Sequence, residues 1–251
     1  MSAAATADYD ALWRGPWKDA AAQGPGFRSR YATLLRLMGR HGAAGRFLEL
    51  GAGTGAFLPI VQARFPWLEV SGHDASEVAL EGLRSRELAD VYGGELGDDL
   101  DLGRAFDVIV CSEVLEHIEE HDAAMDAIVR HLRPGGRAYL SVPLRQDLWT
   151  QVDDSVGHVR RYHHGELGGM CHARGLDLLA DMSTGFPIYN TYYRALGRKS
   201  PQETARSARR SPFAAVVSGV LARVLTAETR VSTPFGARGF VVARKPYRRT
   251  A

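Results

Sequence analysis

The chain has 251 residues, 45% hydrophobic and 24% charged, a composition ordinary for a globular protein. A net charge of only +2 excludes the strong positive field of a general nucleic-acid binder, and two cysteines, Cys111 and Cys171, exclude a disulfide framework. The opening MSAAATADYDALW has no basic segment followed by an apolar one, and the longest apolar run, PFAAVVSGVLARVLTA, is interrupted by Arg223. The expectation is a cytoplasmic protein with reduced thiols and no membrane span.

Residues 8–40 read as helical, with a break at QGPG, 23–26. RFLEL is a short strand running into glycines. AFLPIVQARF is a helix, with Pro59 acceptable in its first turn. WLEVSGHD is a second strand ending in Asp74, and SEVALEGLRSREL a helix capped by Ser76. DVYGGEL is a weaker third strand. FDVIVCSE, with Val108, Ile109 and Val110 together, suits a strand covered on both faces. HDAAMDAIVRHL is a helix stopped by RPGG, and RAYLSVP a fifth strand. HGELGGMCHARG is a helix weakened by Gly168 and Gly169. LDLLADMSTGF and ARGFVVARKP are the last two strands.

Alternating strands and helices predict an α/β fold: a Rossmann-like, seven-stranded, mostly parallel sheet with helices on both faces. Ligands of such sheets lie beyond the carboxyl ends of the strands. Glu49–Gly55, Asp74, Glu95, Ser112–Glu113 and Pro143 all fall there. The predicted organisation is an N-terminal helical cap (1–40), a core (41–186 and 237–251) and a helical insertion or lid (187–236).

The turn FLELGAGTGAF places Gly51, Gly53 and Gly55 at alternate positions. Its G-x-G-x-G spacing differs from the dinucleotide fingerprint, and it lacks the Gly-Lys-Ser/Thr of a phosphate loop. Asp74, at the end of the next strand, is placed to accept ribose hydroxyls. These features fit NAD or another adenosine ligand. Glu49 decides between them, since an acid beside a pyrophosphate is repelled and one beside an ammonium is welcome. Adenosine at one end and an ammonium at the other describe S-adenosylmethionine.

In these motifs the sequence resembles the class I S-adenosylmethionine-dependent methyltransferases. FLELGAGTG is similar to their first motif, VSGHDAS to the second strand, GGELGDDLDLGRAFDVIVCSEVLEHI to the next two motifs, and LRPGGRAYLSVP to that of the fifth strand. The resemblance covers about 45–185, with a last strand at 237–246. It implies that Gly51, Ala52 and Gly53 pass beneath the methionine and ribose, Glu49 binds the amino group, and Asp74 takes the ribose hydroxyls. By the same resemblance Ala75 packs on the adenine and Glu95 and Leu96 contact it, with Asp98 and Asp99 as substitutes for Glu95. Ser112 and Glu113 line the methionine.

The sulfonium is already an activated electrophile, so alignment does much of the work, and a base is needed only for a protonated acceptor. The candidate catalytic residues are His158, in VGHVRRYHHGEL, and His117, in EVLEHI, where the resemblance implies a structural role. GHVRRY resembles a recurring pattern in one branch of the family, and Arg161 and Tyr162 either meet the acceptor or pin the loop. His158, His163 and His164 suggest a metal, but no cysteine or carboxylate set completes a site with them, so none is expected.

Residues 187–236 separate the last two strands, which form a tight hairpin in a minimal version. The stretch carries Tyr189, Tyr192 and Tyr193, then Arg194, Arg198, Lys199, Arg206, Arg209 and Arg210, then an apolar helix at about 212–227. A loop this long is usually functional or disordered, and the apolar helix argues for a folded lid packed on the N-terminal helices. Trp13, Trp17 and the three tyrosines are candidates to wall the acceptor, and core packing is the competing reading for each. The function implied is methylation of a small-molecule acceptor in a specialised biosynthetic pathway, by a monomer or homodimer that engages neither membrane nor nucleic acid. RNA methylation and a non-catalytic cofactor-binding accessory role are the alternatives.

Overall fold

In β1 (Gly45–Leu50) and β4 (Phe106–Ser112) consecutive apolar side chains leave the sheet on opposite faces. Phe47, Val108 and Val110 enter one buried cluster, while Leu48, Leu50, Ile109 and Cys111 enter a second. A computed structural model describes residues 9–14, 24–197 and 212–247. Trp17 and the basic positions Arg198, Lys199, Arg206, Arg209 and Arg210 lie outside the described residues.

The other strands are β2 (Leu68–Asp74), β3 (Val91–Gly93), β5 (Leu132–Pro143), β6 (Asp177–Thr184) and β7 (Arg238–Arg244). They form one seven-stranded sheet in the order β3-β2-β1-β4-β5-β7-β6. Strands β1 to β5 pair in parallel, and β7 runs antiparallel to both β5 and β6. The expected seven-stranded, mostly parallel α/β sheet is therefore present. The strand order reverses between β1 and β4, where a crevice opens beyond the carboxyl ends.

Helices α1 (Tyr9–Arg14), α2 (Pro25–His41), α3 (Leu58–Arg64) and α4 (Glu77–Arg84) precede β3 in sequence. Pro59 sits in the first turn of α3 and Ser76 caps α4, its Oγ accepting from the Ala79 amide at 3.2 Å. Helix α2 buries Tyr31, Leu34, Leu37 and Met38 against the Phe47 face of the sheet. Helix α2 thus forms part of the layer that covers this face of the sheet.

On the other face lie α5 (His121–His131) and α7 (Glu166–Ala173), through Met125, Ile128, Leu167 and Cys171. Gly168 interrupts helix propensity in α7 for a packing reason: a Cβ there would strike the Asp181 carboxylate on β6. Strand β5 begins at Leu132, before RPGG, and its pairing with β4 slips between Phe106 and Val108 to accommodate that turn.

The sequence reading missed α6 (Gln151–Val156), which has the capping-box signature Thr-x-x-Asp at 150–153. Helices α8 (Ile188–Leu196) and α9 (Pro212–Glu228) occupy the insertion. Among the described residues no helix is long and apolar enough to cross a membrane.

Helix α9 packs along α2. At its carboxyl end the buried Thr33 hydroxyl lies 2.9 Å from that of Thr229, and Arg36 donates to the Thr229 carbonyl at 3.0 Å. Thr33→Val removes the buried hydroxyl with little change of shape. It is expected to lower the unfolding free energy by about 1–2 kcal/mol and to speed proteolysis after α9. An unchanged denaturation midpoint and cleavage rate would show that this contact does not hold α9.

Candidate active site

The glycine turn leaves β1 at the point where the strand order reverses. Gly51, Gly53 and Gly55 have φ of 67°, 55° and 70°, in the left-handed region that favours glycine. At Gly53 there is a second requirement, because a Cβ would strike the Trp13 indole. The Ala52 amide donates to the His73 carbonyl at 2.8 Å, tying the turn to β2.

Asp74 organises the same turn from the end of β2. Its carboxylate accepts from the Gly53 amide at 2.7 Å and from the Ser76 amide at 2.9 Å. Burial raises its carboxyl, while these amides oppose the rise. Each oxygen keeps a lone pair for a ribose hydroxyl. Ala75 beside it is exposed. Glu95 is also exposed, past the end of β3, and its charge reaches Asp74, whereas Leu96 is buried in the core.

Glu49 is 6% exposed, and its Oε2 has no hydrogen-bond partner. Burial pushes its carboxyl up to about 8, with Arg30 of α2 pulling the other way. A buried acid without a partner is costly, and an ammonium group placed there would relieve it. The donor set fits an S-adenosyl amino acid: an acid for the amine, glycine backbone for close approach, and a second acid for the ribose.

At the end of β4, Ser112 and Ser141 share a hydroxyl–hydroxyl bond at 2.8 Å. Glu113 takes φ 57°, a strained value for a residue with a side chain. Its amide donates to the Ser141 carbonyl at 2.9 Å, and its carboxylate accepts from the Ser141 hydroxyl at 3.2 Å. Arg30 stands 3.9 Å from Glu113 and within electrostatic reach of Glu49 and Glu116.

Asp153, buried on α6, is the hub of a second polar cluster. It accepts from Arg161 Nε at 2.9 Å and Nη2 at 3.0 Å, from the Tyr193 hydroxyl at 3.0 Å and from the Thr150 amide at 2.8 Å. His158 Nδ1 lies 2.7 Å away. Burial alone would raise the Asp153 carboxyl, but His158 and Arg161 overcome it and hold it at about 2. The ring of His158 meets that of His117 edge-on, with centroids 4.7 Å apart. Burial, and then the neighbouring His158, depress His117 to about 3, so it is neutral at physiological pH.

Several sequence candidates find other work. Tyr162 is fully buried in the core, with its hydroxyl 2.8 Å from His121 Nδ1. Arg161 is committed to Asp153 and, at 3.1 Å, to the Leu144 carbonyl; it anchors the loop. Trp13 covers the cofactor turn, its helix tethered by a 2.5 Å bond from the Ser76 hydroxyl to Asp10. The tyrosines do gather: Tyr189 stacks on Tyr193 at 6.0 Å, lies 6.1 Å from Tyr192, and carries the buried Arg238 3.9 Å above its ring. His163 and His164 are exposed and apart from His158; His164 bonds Ser183 at 2.6 Å.

The sequence reading did not single out Arg30, Asp153, Glu116 or Arg238. Only Asp153 left a signal, the capping box; the other three act through contacts distant in sequence.

The glycine turn, Glu49 and Asp74 thus meet at the switch point of the sheet, in the fold of a class I S-adenosylmethionine-dependent methyltransferase. Residues 26–181 match the methyltransferase-domain family, and the chain belongs to it.

Among curated relatives, trans-aconitate 2-methyltransferase of Deinococcus radiodurans is 31% identical over 100 residues, 40% of this chain and 38% of the relative. Malonyl-[acyl-carrier protein] O-methyltransferase of Methylococcus capsulatus is 40% identical over 100 residues, 38% of this chain and 36% of the relative. The chain thus spans well under half the length of these relatives. The fold is shared with the N-methyltransferase NodS of Bradyrhizobium japonicum bound to S-adenosyl-L-homocysteine: TM-score 0.59, 18% identity, covering 95% of this chain and 98% of that one.

Since Glu49 titrates at about 8 in the free protein, it is protonated at neutral pH, and the cofactor ammonium would ionise it. Binding at pH 7 should therefore release up to about one proton. Affinity should rise with pH until the cofactor's own amine begins to titrate, at about 8. Calorimetry in buffers of different ionisation enthalpy measures the release, and Glu49→Gln should abolish it. Binding with no proton release by the wild type would refute this role.

Proposed function

We propose that the protein transfers the methyl group of S-adenosylmethionine to an oxygen of a small-molecule acceptor in a biosynthetic pathway. The observation that carries this reading is the pair formed by the partly buried His158 and the fully buried Asp153, 2.7 Å apart. Asp153 is ionised at neutral pH, so Nδ1 of His158 bears the proton and donates it. The Nε2 lone pair then faces Glu116, 3.8 Å away, and His117. An acceptor hydroxyl needs such a group to lose its proton, whereas a neutral amine does not.

S-adenosylmethionine supplies an activated methyl group on a sulfonium, and the protein aligns the acceptor with it. Tyr189, Tyr192 and Tyr193 of α8 would form an aromatic wall for the acceptor. The exposed Ala75 and Glu95 would border the adenine, with Leu96 packed in the core behind them, and Ser112 and Glu113 would border the methionine. Two relatives are by name a trans-aconitate 2-methyltransferase and a malonyl-[acyl-carrier protein] O-methyltransferase, and others are ubiquinone biosynthesis O-methyltransferases. Their chemistry favours an oxygen acceptor here, although NodS is an N-methyltransferase. Buried free thiols at Cys111 and Cys171 are in keeping with a cytoplasmic setting.

Asp74→Ala should weaken S-adenosylmethionine binding at least tenfold, or about 1.4 kcal/mol, by calorimetry. Incubation with methyl-labelled cofactor and panels of phenols, carboxylic acids and amines should give labelled ethers or esters, with release of S-adenosylhomocysteine. Labelled amines alone would overturn the oxygen assignment.

A further inference from the structure

The acceptor side holds a buried acid that its hydrogen bonds do not explain. Glu116 is 0% exposed, and neither carboxylate oxygen has a hydrogen-bond partner. It lies in the single 3-10 turn Leu115–His117 after β4. His158 points Nε2 at its Oε1 from 3.8 Å, and His117 follows it in sequence. One ligand-type atom from each of Glu116, His117 and His158 lies within 4.8 Å of the other two.

Two imidazole nitrogens and one carboxylate oxygen are a donor set for a divalent first-row cation, and three donors leave coordination positions open. Tetrahedral bonds of about 2.0–2.1 Å place donors about 3.3 Å apart, so the His158–Glu116 pair would close by roughly half an ångström. Both rings are already oriented from behind. His158 donates Nδ1–H to Asp153, and His117 is held by the backbone of Val156 and Gly157. Partners of this kind fix the tautomer and aim of a metal-binding histidine. The charge is also appropriate: Glu113 adds a second negative group beside Glu116, and Arg30, 3.9 Å from Glu113, offsets only part of it.

We propose that Glu116, His117 and His158 form a binding site for a divalent transition-metal cation that takes the acceptor oxygen in an open coordination position. The cation's role rests on the oxygen-acceptor reading above; its binding does not. With His158 Nε2 bound to the cation and no longer free to take a proton, the acceptor O–H, acidified by the cation, would give its proton to water. Its oxygen would form the O–CH3 bond as the CH3–S bond breaks, and the sulfonium would leave as the neutral thioether. The sequence expectation of no metal considered His158 with His163 and His164. The tertiary structure separates those and supplies Glu116 and His117 instead.

Chelator-treated full-length protein is titrated with Co2+ and followed by visible d–d absorption, which should saturate at about one ion per chain. Glu116→Gln and His158→Ala should each weaken Co2+ binding roughly tenfold or more. Their S-adenosylmethionine affinity, measured by calorimetry, should stay unchanged, showing that the fold and the cofactor site survive. No uptake of Co2+ by the wild type, or equal uptake by the wild type and both variants, overturns the proposal. If no ion binds but His158→Ala still abolishes methyl transfer, the cation falls and direct proton removal by His158 stands. If the ion binds as described but no oxygen acceptor is methylated, the site stands and the oxygen reading falls.

Discussion

The carboxylate of Glu49 is the constraint on which the site depends. β1 is the second of the three central strands of the sheet's parallel half, paired with β2 on one side and β4 on the other. Its alternation aims Leu48 and Leu50 at one face and Phe47 and Glu49 at the other. The acid is therefore carried into the layer between sheet and α2, where water does not reach it. A one-residue slip would exchange the acid for a leucine and disrupt both cores at once. The cost of burying Glu49 is held in place by the packing of the whole strand.

A second buried polar knot governs the other side. Asp153 gathers Arg161, His158, Tyr193 and the Thr150 amide around one carboxylate. These groups come from α6, the loop after it, and α8, so the knot fastens the insertion to the loop that follows β5. A fully satisfied network of this kind specifies one arrangement, because losing a member leaves another charge buried and unpaired. It also leaves the lone pair of His158 Nε2 facing Glu116. Arg30 stands between the two regions and couples them electrostatically, since it influences both Glu49 and Glu116.

Much of the cofactor side was legible in sequence because its residues are close to strand ends, and strand ends are readable from apolar runs stopped by glycine or acid. Gly51, Gly53 and Gly55 need their identity for backbone reasons, and Asp74 ends a seven-residue strand. The acceptor side was less legible. In sequence Arg161 and Tyr162 fit either an acceptor contact or a loop anchor, and only the fold shows that both are buried. Trp13 lies far from the glycine turn in sequence and packs on it. Glu116 and His117 read as part of a strand-end motif, and their meeting with His158 depends on how α6 turns the chain back.

By itself the sequence determined the parallel α/β order, the switch-point turn and the placing of Glu49 and Asp74 at the ends of their strands. Each of these rests on local periodicity, backbone conformation or charge. Tertiary structure alone decided which polar residues are partnered and which are orphaned inside the protein. Asp153 and Glu116 are both buried acids; one is saturated by four side chains and an amide, and the other has no hydrogen bond. Asp153 finds most of its partners in Thr150, His158 and Arg161 nearby and one in the distant Tyr193, whereas Glu116 meets His158 only because the fold brings the two together.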